Sequence, residues 1–151
     1  AANRLRDMAD EARSLNLRLA IELINRYRTS VVNTVAQALE LVRLMGRPNA
    51  GLLYDTYQAN IEEADPALAL RNALDSGRLF HFHASDSNRR VPGQGHVDWD
   101  QTFDTLRSGD YRAAVTIEVF HYGSMDSGFI PTGNPDDNAR AGLRYLREKL
   151  G

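Results

Sequence analysis

The sequence predicts an α/β fold in which one helix leads into four strand–helix units, so that the strands lie parallel in one sheet. Three observations predict it. Apolar spacing switches repeatedly between a period near two and a period of 3.6. Asp, Ser, Gly and Pro mark the places where the spacing changes. No linker, low-complexity tract or close repeat divides the 151 residues. A chain of this length buries roughly 70% of its unfolded surface, enough for a single domain over residues 1–151.

The elements follow in order. Leu5, Met8, Ala9 and Ala12 recur at i, i+3, i+4 and i+7 and predict a first helix with one apolar stripe. Leu17 to Ile24 reads as a strand with Ala20, Glu22 and Ile24 on one face, followed by the polar loop Asn25 to Ser30. Ser30 is the expected cap of a helix whose stripe is Val32, Val35, Ala36, Leu39, Val42 and Met45, ended by Gly46 and Pro48. Ala50 to Asp55 is the second strand, with Leu53 and Asp55 sharing a face. Asp65 and Pro66 then give a cap and a first-turn proline for a helix that runs to Gly77.

The third strand starts at Leu79, with His81 and His83 on one face and Phe80 and Phe82 on the other. Its helix follows Asp98, turns Phe103 and Leu106 inward, and ends near Gly109. Ala113 to Phe120 is the fourth strand, with Thr116, Glu118 and Phe120 on one face. A loop rich in glycine and proline leads to a last helix with Ala139, Leu143, Leu146 and Leu150 as its stripe. Two architectures suit this order: an open doubly wound sheet, or part of a (β/α)8 barrel. The G-x-G-x-x-G phosphate fingerprint is missing after the first strand, and Gly93-Gln94-Gly95 is too short to replace it.

Composition narrows the function classes. A net charge of -2 and a pI near 6.1 offer no general attraction to nucleic acid or to an anionic membrane. No run of eighteen apolar residues exists to span a bilayer. Residues 1–15 are amphipathic, lack an apolar signal core and carry acidic residues that argue against a transit peptide, so the cytoplasm is the expected location. The absence of cysteine excludes disulfides, thiolate metal ligands and cysteine nucleophiles.

Chemistry-bearing residues gather where parallel sheets bind ligands, at the C-terminal ends of the strands. Each strand carries one potential metal ligand there: Glu22, Asp55, His83 and Glu118. Three carboxylates and one imidazole converging at that edge call for a cation, because buried unpaired carboxylates are costly. Oxygen ligands with a single histidine suit Mn2+, Mg2+ or Co2+ better than a structural zinc. The alternative is a set of hydrogen-bonded core carboxylates.

These residues also resemble a family. Glu22-Leu-Ile-Asn-Arg26, Asp55-Thr-Tyr-Gln-Ala-Asn-Ile-Glu-Glu63, His81-Phe-His-Ala-Ser-Asp-Ser-Asn-Arg-Arg-Val-Pro-Gly93 and Ile117-Glu-Val119 are similar to motifs of the ketose 3-epimerases, such as the D-tagatose and D-psicose 3-epimerases. Those enzymes belong to the sugar isomerase/epimerase superfamily of xylose-isomerase-like barrels. The separations of 33, 28 and 35 residues between successive ligands fit the family's order. The resemblance covers nearly the whole chain and matches the C-terminal half of a (β/α)8 barrel: a leading helix and strands five to eight with their helices.

The resemblance implies one divalent cation, Mn2+ first with Co2+ or Mg2+ as alternatives, held by Glu22, Asp55, His83 and Glu118. It implies a ketose that chelates the cation through its carbonyl and neighbouring hydroxyl oxygens, passing through an enediolate. Glu22 and Glu118 would exchange the proton on opposite faces of the sugar. Arg89 matches the family's arginine, which holds a substrate oxygen and a catalytic carboxylate. Two positions depart from the pattern. Arg28 stands where relatives carry glutamate, six residues after the first ligand, and Gln58 replaces the histidine of Asp-Thr-x-His. Both flank the C1–C2 end of the sugar in the family, so Arg28 and Gln58 bear on which sugar is taken, and Glu62 lies beside the site. If Arg28 points inward it favours a phosphate or sugar acid; otherwise it faces solvent or pairs with Glu62 or Glu63.

A complete barrel needs about 250 residues. Four parallel strands alone leave two bare edges and an open inner face, so the expected partner is a missing N-terminal half-barrel or a second copy in a homodimer. His81 is expected to support the site from one layer below, and His96 and Trp99 to shape the loop and the start of the helix. His121 is expected to be exposed, Arg90 to be solvated, and Tyr54 and Tyr57 to pack between sheet and helices. Two other functions compete with a sugar epimerase or isomerase. An apurinic-endonuclease-like phosphodiesterase would need more histidines and a basic surface, and four histidines with net charge -2 count against it. A non-catalytic, self-associating half-barrel is favoured only by the chain length.

Overall fold

A computed structural model describes residues 1–120 and 134–150. The elements are α1 (Ala2–Ser14), β1 (Leu19–Glu22), α2 (Val35–Met45), β2 (Ala50–Asp55), α3 (Thr56–Glu62), α4 (Pro66–Asp75), β3 (Leu79–Ala84), α5 (Trp99–Ser108), β4 (Val115–Ile117) and α6 (Pro135–Leu150). The strands form one parallel sheet in the order β1-β2-β3-β4. That order has no reversal. With the right-handed crossovers of parallel units, every connection falls on the same side of the sheet. The open doubly wound alternative is thereby overturned, because it requires a switch point with helices on both faces.

One face of the sheet makes the core. Leu52 and Tyr54 of β2 and Phe82 and Ala84 of β3 are buried together with Val35 and Ala38 of α2, Leu70 and Ala73 of α4, and Phe103 and Leu106 of α5. Tyr54 stacks on Phe82 at a ring separation of 5.8 Å. Burying each of the larger aliphatic and phenylalanine side chains here contributes about 1.5–3 kcal/mol, which makes this layer the main source of cohesion. The opposite face carries Glu22, Leu53, Asp55, His81, His83 and Thr116, all but Asp55 only partly buried or exposed.

Caps set the helix ends that frame the site. Asp65 accepts from Leu68 N ahead of Pro66, and Asp98 accepts from Gln101 N, as expected. Gly46 ends α2 with φ +62°, a conformation that glycine adopts without a Cβ penalty. Thr34, not Ser30, caps α2, in a reciprocal pair with Gln37. The chain between them is held as a loop by Asn33 Nδ2, which donates to Ile24 O and Thr29 O. Residues 56–62, to which the sequence reading gave no element, form α3 because the Asp55 carboxylate accepts from Tyr57 N and Gln58 N.

Other expectations shift by a face. β1 is shorter than Leu17 to Ile24, and β4 shorter than Ala113 to Phe120. Met8, Ala36, Ala139 and Leu143 are exposed. In α6 the buried positions are Asn138, Gly142 and Leu146, since Gly142 lies directly on Ile117 and draws that side of the helix to the sheet. Phe80 does not share a face with Phe82. The β2–β3 register slips between Leu52 and Leu53, and the Phe80 ring lies over Gly51, where a Cβ would be 2.5 Å from it. His121 falls outside the described residues.

Candidate metal centre

Each strand delivers one ligand type to the same end of the sheet. Glu22 is the last residue of β1 and Asp55 the last of β2, while His83 is the penultimate residue of β3. Glu118 follows β4, where its backbone N–H donates to Ala84 O at 3.0 Å. One ligand atom from each of the four lies within 4.8 Å of all the others. His83 Nδ1 stands 3.9 Å from Glu22 Oε1, 3.9 Å from Asp55 Oδ2 and 3.4 Å from Glu118 Oε1. Atoms bound at about 2.1 Å to one octahedral cation lie roughly 3.0 Å apart when adjacent and roughly 4.2 Å apart when opposite. The three distances from His83 fall inside that range.

The donor set passes a second test. His83 Nδ1 is buried and has no hydrogen-bond partner, although three carboxylates face it. A buried nitrogen left without a partner costs about 1–3 kcal/mol. A cation among these groups removes that cost and offsets the carboxylates. Glu22, Asp55, His83 and Glu118 are therefore the residues that can hold a metal.

Arg89 reaches the cage from the β3–α5 loop. Its Nη1 donates to Asp55 Oδ2 at 3.0 Å, to Ser85 Oγ at 3.3 Å and to Glu118 Oε2. The guanidinium lies between the rings of Tyr57 and Phe120, 3.9 and 4.6 Å from their centroids. Arg89 takes φ +61°, a conformation uncommon outside glycine. Thr56 Oγ1 donates to Ser85 O and accepts from Ser85 N, tying the start of this loop to α3.

The groups polarise one another. Burial pushes Asp55 up to about 7, with Glu118 adding to the rise and Arg89 opposing it. Burial also acts to raise Glu118, but His83, Asp55 and Arg89 outweigh it and hold that carboxylate well below its usual range. Burial opposes charge on His83, yet Glu118, Asp55 and Glu22 together raise the imidazole. Glu22 is raised by burial and by its neighbour Glu118. Such divergence among close groups marks sites built for proton transfer or metal binding more often than plain cores.

The remaining sequence candidates surround the cage. Gln58 is buried, and its Oε1 accepts from Asn25 N at 2.9 Å and Asn25 Nδ2 at 2.6 Å. Glu62 accepts from Arg26 N at 2.5 Å and pairs with the Arg26 guanidinium at 2.9 Å, while Glu63 accepts from Val35 N. Arg28 is exposed in the turn after β1, its N–H donating to Asn25 O. His81 Nε2 is 2.9 Å from Thr116 Oγ1, and its ring meets the edge of His83. His96 bonds to Ser87 in the β3–α5 loop, and Arg90 is exposed.

Sequence reasoning missed three participants. Asn25 braces Gln58, Phe120 covers Arg89, and Asp86 collects donors from across the β3–α5 loop. The available signal for Asp86 was a lone acid between a buried strand and a loop with Gly93 and Gly95, whose backbone N–H groups need an acceptor.

Four consecutive parallel βα units, with three carboxylates and one imidazole gathered at the strand C-termini, have the arrangement of one side of a barrel wall with a candidate metal site at its ligand-binding end. The chain belongs to the xylose isomerase-like TIM barrel family, which matches residues 1–149. It is 36% identical over 155 residues to D-psicose 3-epimerase from Agrobacterium fabrum, covering 95% of this chain and 53% of that protein. It is 37% identical to a probable ketose 3-epimerase from Synechocystis, covering 88% and 48%. The crystal structure of D-allulose 3-epimerase from Methylomonas in complex with D-allulose superposes with a TM-score of 0.91 at 30% identity, over 98% of this chain and 54% of that one. The chain thus has the fold of half a TIM barrel and spans about half the length of the curated relatives it matches.

Proposed function

We propose that this chain is the metal-bearing half of a ketose 3-epimerase. Residues 1–151 form a half-barrel domain, the leading helix and strands five to eight, completed by an N-terminal half-barrel or by a second copy. The cation is divalent, Mn2+ first and Co2+ or Mg2+ next, and its ligands are Glu22, Asp55, His83 and Glu118. The buried, unpartnered His83 Nδ1 facing three carboxylates is the observation that carries this reading.

When bound, the cation supplies Lewis-acid polarisation of a ketose carbonyl, which acidifies the neighbouring C–H. Glu22 and Glu118 move the proton: one carboxylate takes it from the carbon and the other returns it to the opposite face, inverting the centre. Arg89 fixes Glu118 and offers further N–H donors to a sugar oxygen. Gln58, its oxygen committed to Asn25, presents its amide N–H groups to the C1–C2 end of the sugar. Arg28 lies on the loop that would meet an anionic substituent, and Glu62 acts by holding that loop through Arg26.

The test begins with metal-stripped protein titrated with Mn2+, free Mn2+ being followed by electron paramagnetic resonance. One site per chain, lost on His83→Ala, is expected. The loaded protein is then assayed on D-fructose and D-psicose, with sedimentation reporting whether a second copy is present. Stoichiometric Mn2+ binding that survives His83→Ala would overturn the assignment.

A further inference from the structure

We propose that Asp86, outside the ligand set, is a positioning residue that holds Arg89 against Asp55 and Glu118. The inference rests on the epimerase reading for its effect on turnover, but not for the physical link.

Asp86 is fully buried and its carboxylate is saturated. Oδ1 accepts from Ser87 N at 2.8 Å and Val97 N at 3.3 Å; Oδ2 accepts from Gly93 N at 2.8 Å and Trp99 Nε1 at 2.8 Å. An ionised carboxylate is acceptor-only and has about four lone-pair positions, so every donor is matched. The donors come from both ends of the loop and from the first residue of α5, whose indole is itself buried against Phe103. Gly95 packs so close to the carboxylate that a Cβ there would overlap it, and Gly93 takes φ +89°. The loop is wrapped around this one side chain.

The same residue sets the turn that carries Arg89. Asp86 O accepts from Arg89 N at 2.8 Å, and Asp86 N donates to Arg90 O at 3.1 Å. Between those two bonds Arg89 sits in its left-handed conformation, which a non-glycine residue keeps only when its surroundings hold it there. Arg89 O in turn accepts from Phe120 N at 3.2 Å. A continuous path therefore runs from Trp99 through the Asp86 carboxylate and its turn to the guanidinium on Glu118. Asparagine at position 86 would set an NH2 group against inward-pointing N–H groups and release that turn.

The experiment is a double-mutant cycle of Asp86→Asn with Arg89→Lys in the full chain, loaded with Mn2+. Asp86→Asn is expected to lower kcat on D-psicose by about tenfold, with KM moving much less, and to add less than about twofold in the Arg89→Lys background. Additive losses, or a less stable variant that turns over like the parent, would overturn the proposal. The link is also read without catalysis, in 15N–1H spectra of arginine side chains. A restrained Arg89 guanidinium signal, assigned by its loss in Arg89→Lys, should average out in Asp86→Asn, and its persistence would overturn the link. Averaging in a parent with no turnover leaves Asp86 as the positioning residue, while the epimerase reading falls if a barrel completed by an N-terminal half also shows none. Should Asp86→Asn fail to fold, Trp99→Phe removes one donor of the four and must show the same dependence on Arg89 at smaller amplitude.

Discussion

Replacing Arg89 with methionine keeps the long side chain between Tyr57 and Phe120 and deletes only the charge and its donors. Arg89 is 7% exposed and Asp55 1%, so the variant leaves Asp55 and Glu118 facing each other without their shared cation. Removing one partner from a buried ion pair costs about 3–5 kcal/mol. Against a total stability of about 5–15 kcal/mol that is a large share. At about 2–4 °C per kcal/mol for a chain of this size, the midpoint of thermal unfolding should drop by roughly 6–20 °C. Metal changes the outcome, because a cation in the cage supplies the missing positive charge. At a hundredfold excess over its Kd a ligand adds about 2.7 kcal/mol, so Mn2+ should narrow the gap between parent and variant. Far-UV circular dichroism melts in EDTA and in Mn2+ measure both effects. A loss under about 1 kcal/mol that is the same in both conditions would refute the assignment of Arg89 as the resident countercharge.

Asp55 is raised above its ordinary value by burial, so the metal-free folded state binds more protons than the unfolded one and loses stability as pH rises from the normal aspartate range toward 7. Mn2+ needs the carboxylate, so its affinity should increase over the same window with proton release, measurable by calorimetry in buffers of different ionisation enthalpy. Asp86 is lowered, burial being outweighed by its hydrogen bonds, so its contribution is complete above the ordinary value of 3.8 and is lost only as pH falls through the depressed one; acid titration of urea midpoints should show this. Gly51→Ala puts a Cβ 2.5 Å from both Arg78 O and the Phe80 ring and should cost about 1–3 kcal/mol, only part of it recovered by Phe80→Ala because the carbonyl cannot withdraw. Phe82→Ala, at a position with no exposure, should cost about 3–5 kcal/mol in urea unfolding without moving the ligands on the other face.

The convergence of the four candidate ligands was legible in the sequence because a strand's two-residue period assigns a face to every side chain. Glu22, Asp55 and His83 each stood at the end of an apolar run, and Glu118 one step past one. The same rule failed at Phe80, where a slip in register inserts a residue and turns the next side chain over. It also missed α3, whose seven residues are too few for a helical period to emerge. Helix stripes were read most poorly where shape overrode hydropathy: α6 presents Gly142, not Leu143, to the sheet because the strand comes closer where there is no side chain. Arg89 was found by motif, but the carboxylate beneath it was not. Spacing along a chain carries no record of how many N–H groups a loop must satisfy.

Asp55 has a double attachment with a consequence for coordination. Its Oδ1 is taken by two amide protons at the start of α3, and only Oδ2 looks into the cage. The side chain is already held with Oδ2 toward His83, so little rotamer freedom would be lost if it took a cation. It also cannot swing round to grip an ion with both oxygens. In the proposed site a donor restricted to one oxygen would leave room in the shell for further ligands, and it would disfavour large ions such as Ca2+ that rely on chelating carboxylates to fill seven or eight positions. The beginning of a seven-residue helix would thus act as a size filter for the ion above it.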